Sequence, residues 1–202
     1  MKPGQPIQSS ARAESRSATF RQVHFMLGVL VLLRLLMWPM ACAAAEGSFS
    51  EYQVKALFLV NFAKYVEWPA TAFADTNAPV IIGVVGEKNI GPHLEKAIEG
   101  KNVCGRAIQF LAIEKEEDLA KCHILFISVS EKKHLSELLA KVNEMPVLTV
   151  GEAEPFISQG GIINFTKKEG KIRLQIDLGA ARKAKLQLSS KLLSVADSVT
   201  GR

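Results

Sequence analysis

The chain lacks the short motifs that mark nucleotide and hydrolase sites. Gly83-Val84-Val85-Gly86 closes an apolar run where a dinucleotide fold would carry its phosphate loop. Yet no G-x-G-x-x-G occurs, and neither does the Walker pattern G-x-x-x-x-G-K-S/T. No G-x-S-x-G elbow exposes a nucleophilic serine. Beyond residue 45 the histidines are His93, His123 and His134, none at metal-ligand spacing. Cys122 and His123 are neighbours on a predicted strand, so their side chains point to opposite faces, which argues against a shared zinc ion. Glu116, Glu117 and Asp118 read as the solvated start of a helix favoured by its dipole rather than as an acid cluster. No catalytic, cofactor or metal residue is therefore expected. Internal repeats and low-complexity stretches are also missing.

Strong charge of one sign is absent once the chain is divided. The whole sequence has 25 Lys and Arg, 20 Asp and Glu, and a net charge of +5. Five of the basic residues (Lys2, Arg12, Arg16, Arg21, Arg34) and one acid (Glu14) fall in the first 45 residues, leaving 20 basic and 19 acidic residues after them. A nearly neutral domain has no electrostatic case for nucleic acid, whose non-specific binding depends on neutralising phosphates.

The first 45 residues read as an export signal. A polar, basic opening to Gln22 precedes the apolar run Val23–Leu33; Arg34 interrupts it, Leu35 to Met40 continues it, and Ala41-Cys42-Ala43-Ala44-Ala45 supplies the small residues a signal peptidase needs. Cleavage is expected after Ala43 or Ala45. An uncleaved anchor is the competing reading, because with Arg34 included the stretch just reaches the ~30 Å of a bilayer core; a central arginine costs roughly 2.5–3.5 kcal/mol there. A lipid anchor on Cys42 is disfavoured, since Pro39-Met40-Ala41 lacks the usual upstream leucine. There is no twin-arginine pair.

From Glu46 to Arg202 the chain has the length of one domain, enough for a core without staples. Ser50 followed by Gln53 forms a capping box for a helix running to Val66, with Val54, Leu57, Phe58, Phe62, Tyr65 and Val66 as its apolar positions; Glu67-Trp68-Pro69 stops it. Val80–Gly86 and His123–Ser128 have no polar face, as strands covered on both sides do. Strands are also expected over Ala107–Ile113 and Pro146–Val150. Helices are expected at Pro92–Ile98, Glu116–Leu119, Lys132–Val142 and around Glu154–Ile157. This alternation predicts an α/β fold: an open, mostly parallel sheet flanked by helices. A C-terminal antiparallel hairpin departs from the pattern, with Ile162–Thr166 and Lys171–Ile176 flanking Lys167-Lys168-Glu169-Gly170. Helical segments follow at Ala180–Lys185 and Ser190–Val199. Lys167-Lys168 and Arg182, Lys183 and Lys185 read as solvated surface. Phe156, Ile162, Ile163 and Phe165 are core by the plainest reading; because Ile163 faces away from Ile162 on a strand, they are also a candidate partner patch.

Several blocks together resemble the YfiR family. They are Glu51 to Pro69, Cys122 to Ser128, Pro146 to Val150, Gly160-Gly161-Ile162-Ile163 and Leu188 to Leu193. The resemblance implies a periplasmic, non-enzymatic regulator without cofactor. It would repress an inner-membrane diguanylate cyclase by binding its periplasmic sensor domain, and so act in cyclic-di-GMP signalling and biofilm control. It further implies an outer-membrane OmpA-like lipoprotein that sequesters the repressor, a homodimer, and disulfides.

Export makes a Cys104–Cys122 disulfide chemically accessible, with a loop of about 18 residues contributing ~3 kcal/mol. If the Val80 strand lies between the strands these cysteines precede, however, they begin about two ~4.8 Å strand spacings apart, beyond disulfide reach unless the Val103-Cys104-Gly105 loop folds over. A second functional reading is a periplasmic small-ligand domain with its crevice at the strand ends near Gly86, Ser128 and Gly151.

Overall fold

A computed structural model describes residues 50–86 and 88–201. The expected leader, its cleavage after Ala43 or Ala45, and Cys42 lie outside the described residues. The first described element is helix α1 (Glu51–Tyr65). Its capping box forms as expected: the Ser50 Oγ accepts from the Gln53 amide, and the Gln53 side chain accepts from the Ser50 amide. The buried positions are Lys55, Ala56, Leu59, Val60, Phe62 and Ala63, while Leu57 and Tyr65, expected inward, are partly exposed. The helix is apolar around most of its girth, so periodicity did not fix which stripe faces the sheet.

The strands are β1 (Val66–Glu67), β2 (Val80–Val85), β3 (Asn102–Val103), β4 (Arg106–Ala112), β5 (Ile124–Ile127), β6 (Leu148–Gly151), β7 (Ile163–Lys168), β8 (Lys171–Asp177), β9 (Gln187–Leu188) and β10 (Ser198–Thr200). Between them run α2 (Gly91–Ile98), α3 (Leu135–Val142), α4 (Leu178–Lys183) and α5 (Ser190–Ser194). The main sheet has the order β10-β8-β7-β6-β5-β2-β4-β3, and β1 pairs separately with β9. Strands β4, β2, β5, β6 and β7 are parallel neighbours. In chain order this is 2-1-3-4-5, a doubly wound arrangement whose direction of winding reverses between β2 and β5. The mostly parallel α/β sheet is thus as expected.

Both faces of the sheet are covered, which explains the unbroken apolar runs. On β5, Ile124 and Phe126 join the core beneath α1 and α2, whereas Leu125 and Ile127 join a second core with Leu135, Leu138 and Leu139 of α3. Phe62 and Phe165 stack in the first core with ring centroids 6.1 Å apart, and Phe126 lies 6.3 Å from Phe165. Each such buried side chain contributes about 1.5–3 kcal/mol.

The hairpin also forms. β7 and β8 are antiparallel and joined by Glu169-Gly170, both at positive φ (52° and 73°), as a type I′ turn requires.

Two helical expectations are corrected. The segment around Glu154–Ile157 is a run of turns, because Phe156 folds back between Gly151 and Gly161, and a Cβ on either glycine would run into its ring. The last helix stops at Ser194, and Ser198–Thr200 becomes β10, parallel to β8 at the sheet edge. The Asp197 amide donates to the Leu174 carbonyl and starts that pairing.

Two site expectations are corrected as well. Cys104 and Cys122 are free thiols, the first exposed and the second buried. Strands β2 and β4 separate the start of β5 from the β3–β4 turn that carries Cys104, so no bridge forms. The candidate partner patch is core: Phe156 and Ile163 are 0% exposed, Ile162 2% and Phe165 3%. With α1 above and the turns of residues 152–160 below, neither face of this part of the sheet is free.

Candidate functional site

The densest polar cluster lies where α1 crosses the carboxyl ends of β5, β6 and β7. Glu152 follows β6 directly, with its side chain only 6% exposed. Its carboxylate accepts from the Lys55 Nζ at 2.5 Å, the Ser128 Oγ at 3.1 Å and the Val129 amide at 2.9 Å. Lys55, equally buried, also donates to Glu51 Oε1 at 2.6 Å, and its ammonium lies 5.3 Å from the Tyr52 ring centre. The other Glu51 oxygen meets the Lys167 Nζ at 3.1 Å. A chain of four alternating charges therefore runs from a buried end, Glu152, to a solvated one, Lys167.

The electrostatics follow from this chain. Burial works to lower the Lys55 pKa, but hydrogen bonds to Glu152 and Glu51 outweigh it, and the value lies above that of an ordinary lysine. Hydrogen bonds from Lys55 and Lys167 hold Glu51 below the usual carboxylate range. A lysine fixed in its charged form by two carboxylates is a poor base or nucleophile. The cluster is suited to holding structure and recognising charge.

Beside it opens a cavity of about 380 Å³ lined by Tyr52, Val129, Asn164, Phe165, Thr166 and Ile172. Asn164 is 1% exposed; its Nδ2 donates to Gln175 Oε1 at 3.4 Å, while its Oδ1 has no hydrogen-bond partner among the described residues. Val129 is 47% exposed at the rim. The crevice expected near Gly86, Ser128 and Gly151 opens beside these residues rather than onto them, since Val129 and Glu152, which follow Ser128 and Gly151, line the cavity. At Gly86 a Cβ would meet Ser130 and Glu131, Ser128 is committed to Glu152, and Gly151 is packed by Phe156.

A second organised region surrounds His123, which is 6% exposed. Its Nδ1 accepts from the Ile81 amide at 3.1 Å, so Nε2 carries the proton and donates to the Ala72 carbonyl at 3.1 Å. The ring stacks on Phe73 with centroids 4.4 Å apart, and Arg106 covers that phenyl ring at 3.9 Å while donating to the carbonyls of Asp75 and Ala78. Trp68 Nε1 donates to the His123 carbonyl. This arrangement clamps residues 68–78 onto the sheet. Cys122 points to the other face, against Gly83 and Ile113, as the strand alternation predicts. Among the described residues, no three His, Cys, Asp or Glu are placed to hold a metal ion.

Sequence reasoning missed Lys55 and Glu152. The i, i+4 spacing of Glu51 and Lys55 was a visible signal for one pair. Nothing local announces Glu152, which reaches Lys55 across 97 residues.

A family model described as YfiR/HmsC-like matches residues 52–197, from the first turn of α1 almost to β10. The chain belongs to this family. At family level the YfiR/HmsC-like role is regulatory, in cyclic-di-GMP signalling, and periplasmic rather than enzymatic. No curated protein matches the chain. Among solved structures, a conserved domain protein from Vibrio cholerae O1 biovar El Tor is 17% identical, over 59% of this chain and 54% of that one, with a TM-score of 0.45. An ABC domain from Streptococcus pneumonia, solved in complex with L-Trp, is 11% identical, over 72% of this chain and 60% of that one, with a TM-score of 0.50. The chain thus spans between half and three fifths of the length of these structures. At such identities the likeness of the second concerns the α/β fold alone. No helix among the described residues is long and apolar enough to cross a membrane.

Proposed function

We propose that this YfiR/HmsC-like protein is exported to the periplasm by its N-terminal signal and represses an inner-membrane diguanylate cyclase by binding its periplasmic sensor domain. The observation that carries the reading is the family match across 146 consecutive positions, 52 to 197. The apolar run Val23–Leu33 followed by Ala41–Ala45 supports export. The mechanism is differential binding: a domain that prefers the sensor's inactive state draws the population toward it in proportion to that preference. Capture by an outer-membrane OmpA-like lipoprotein relieves the repression, and the working unit is a homodimer. Relief by disulfide reduction has no support, because the two cysteines stand apart as free thiols.

The test is deletion of the gene with measurement of cyclic-di-GMP, together with capture of tagged protein from solubilised membranes. A raised level and recovery of a cyclase are expected. An unchanged level with no sensor protein recovered overturns the reading.

A second reading, a domain that binds a small ligand, has one observation in its favour: the cavity beside Tyr52 with the buried Asn164 Oδ1 at its wall. A thermal-shift screen separates the two, since a ligand raises apparent stability by mass action.

A further inference from the structure

The β7–β8 hairpin has two unlike faces. Side chains directly opposite each other in an antiparallel pair share a face. Phe165, Leu174 and Ile172 turn toward α1, and so does Lys167, which meets Glu51 there. The other face carries Asn164 opposite Gln175, Thr166 opposite Arg173, and Lys168 opposite Lys171. Exposure rises along it, from Asn164 at 1% through the partly buried Thr166 to Lys168, whose side chain is 63% exposed. The parallel strand β10 sets Ser198 beside Gln175.

Among the described residues, the two buried side-chain polar atoms without a hydrogen-bond partner are Asn164 Oδ1 and Arg173 Nε, and both belong to this face. Arg173 is partly buried, and its guanidinium makes no hydrogen bond or ion pair among the described residues. A guanidinium keeps its charge and offers donors only, so Arg173 lacks the acceptor it needs. Lys171, two residues away on the same side, is exposed and equally unpaired. It stands directly opposite Lys168, and like charges so placed oppose the strand pairing. Gln175 Oε1 accepts from Asn164 Nδ2, which leaves the Gln175 Nε2 to donate. Three acids lie near. Asp197 is 3.8 Å from Lys168, Glu169 occupies the turn, and Glu154 borders the same cavity as Thr166. None of them forms an ion pair with Arg173 or Lys171. The face is rich in cations and donors and short of oxyanions.

We infer that this face of the hairpin is an oxyanion-binding surface that takes the carboxylates of an acidic segment of a partner protein. One carboxylate meets the Arg173 fork in bidentate fashion, helped by the Gln175 amide; a second lies between Lys171 and Lys168 and relieves their repulsion. Arg173 and Lys171 are two residues apart on one strand, about 6.6 Å. That is the repeat of alternate side chains on an extended peptide, and it is wider than the oxygens of a single phosphate reach. A second copy of this face is a poor occupant, because it would set the same cations against each other. The inference rests on the reading of this protein as a regulator with a protein partner, and names where that partner would be held.

The experiment titrates the protein with a short synthetic peptide alternating serine and glutamate, with its serine–lysine counterpart, with inorganic phosphate and with short-chain phosphatidylglycerol, following NMR signals. The Arg173 Nε–H is the diagnostic probe. With the acidic peptide it is expected to shift and to exchange more slowly, together with the amides of Lys171 and Gln175, and the effect is expected to weaken as salt is added. Arg173→Lys keeps the charge and removes the fork, and is expected to weaken the acidic peptide about tenfold. Lys171→Glu, at an exposed position, is expected to weaken it as well and to admit the basic peptide; if Arg173→Lys fails to fold, this variant decides. Equal binding of the two peptides, shifts confined to other surfaces, or a response at Arg173 to phosphate or the lipid but not to the acidic peptide overturns the inference. Its failure is distinct from that of the cyclase reading, because the titration contains no cyclase and the cyclic-di-GMP measurement contains no peptide.

Discussion

The Lys55 ammonium and the Glu152 carboxylate meet at 2.5 Å, each side chain only 6% exposed. The contact ties the first described helix to the loop after β6, and that loop in turn holds Ser128 and the Val129 amide. Removing one partner leaves a buried charge uncompensated, which typically costs 3–5 kcal/mol (roughly). Lys55→Met is therefore expected to lower the urea-unfolding free energy by about 3 kcal/mol, and Lys55→Met with Glu152→Gln to recover much of it. A double-mutant cycle in urea measures the coupling; simple additivity of the two single changes would show that the pair is not a unit.

Low pH should act on the solvated end of the same chain of charges. Glu51 is held below its ordinary value of 4.5, so its contribution to stability is present above that pH and lost as the pH falls through the lower, folded value. Glu51→Gln is expected to flatten the stability profile in that acidic window and leave it unchanged near neutrality apart from a constant offset. Denaturant melts taken in steps below about pH 5 read this out.

The His123 clamp predicts a second pH dependence at milder acidity. Burial lowers the His123 pKa from its ordinary 6.5, the Ala72 carbonyl partly opposes this, and Arg106 adds to it. A lowered histidine favours the neutral form in the folded protein. Stability from this source is thus complete above pH 6.5 and declines as the pH falls toward and through the folded value, because the unfolded chain takes up the proton first. Protonation at Nδ1 also removes the acceptor for the Ile81 amide. His123→Asn keeps a neutral acceptor, and its urea midpoint should fall less between about pH 7 and 5 than that of the unaltered protein.

The parts of the fold that were legible are those where local chemistry and tertiary packing agree. The capping box at Ser50 and Gln53, the apolar runs of β2 and β5, and the Glu169-Gly170 turn each form close to where the sequence puts them. The failures have one cause, contacts made at long range. Phe156 sits in a segment with helical composition, but Gly151 and Gly161 leave a slot for its ring and the chain turns around it. Ser198–Thr200 continues a helical pattern until Leu174 offers a strand edge. The polar cluster was half visible, as Glu51 and Lys55 on one helix face. Its deepest member, Glu152, is a single acid after a strand, and only the winding of the sheet brings it under α1. Phe156, Ile162, Ile163 and Phe165, core by the plainest reading and a partner patch by the other, were ambiguous for the opposite reason, since burial on both faces of a sheet leaves no alternation to read.

The packing around Cys122 gives the last prediction. Its thiol lies against Gly83 of β2, and burial pushes its pKa up to about 12. At pH 8 almost none of it is thiolate, the nucleophilic form. Cys104, exposed at the β3–β4 turn, meets solvent directly. Iodoacetamide at pH 8 is therefore expected to label Cys104 in the folded protein and Cys122 only after denaturation. Mass spectrometry of tryptic peptides distinguishes the two sites, and a Cys104–Cys122 cross-linked peptide under non-reducing conditions would contradict the structure. The same contact makes Gly83→Ala a sensitive probe. The added methyl would run into the Cys122 sulfur, and overpacking of this kind costs about 1–3 kcal/mol. Cys122→Ala removes the sulfur and should restore most of the loss in the double variant. Thermal melts of the three proteins decide whether the two residues are coupled through that contact. If Gly83→Ala is as harmful with alanine at position 122 as with cysteine, the cost lies elsewhere, and Ile113, the other side chain near Gly83, becomes the group to vary.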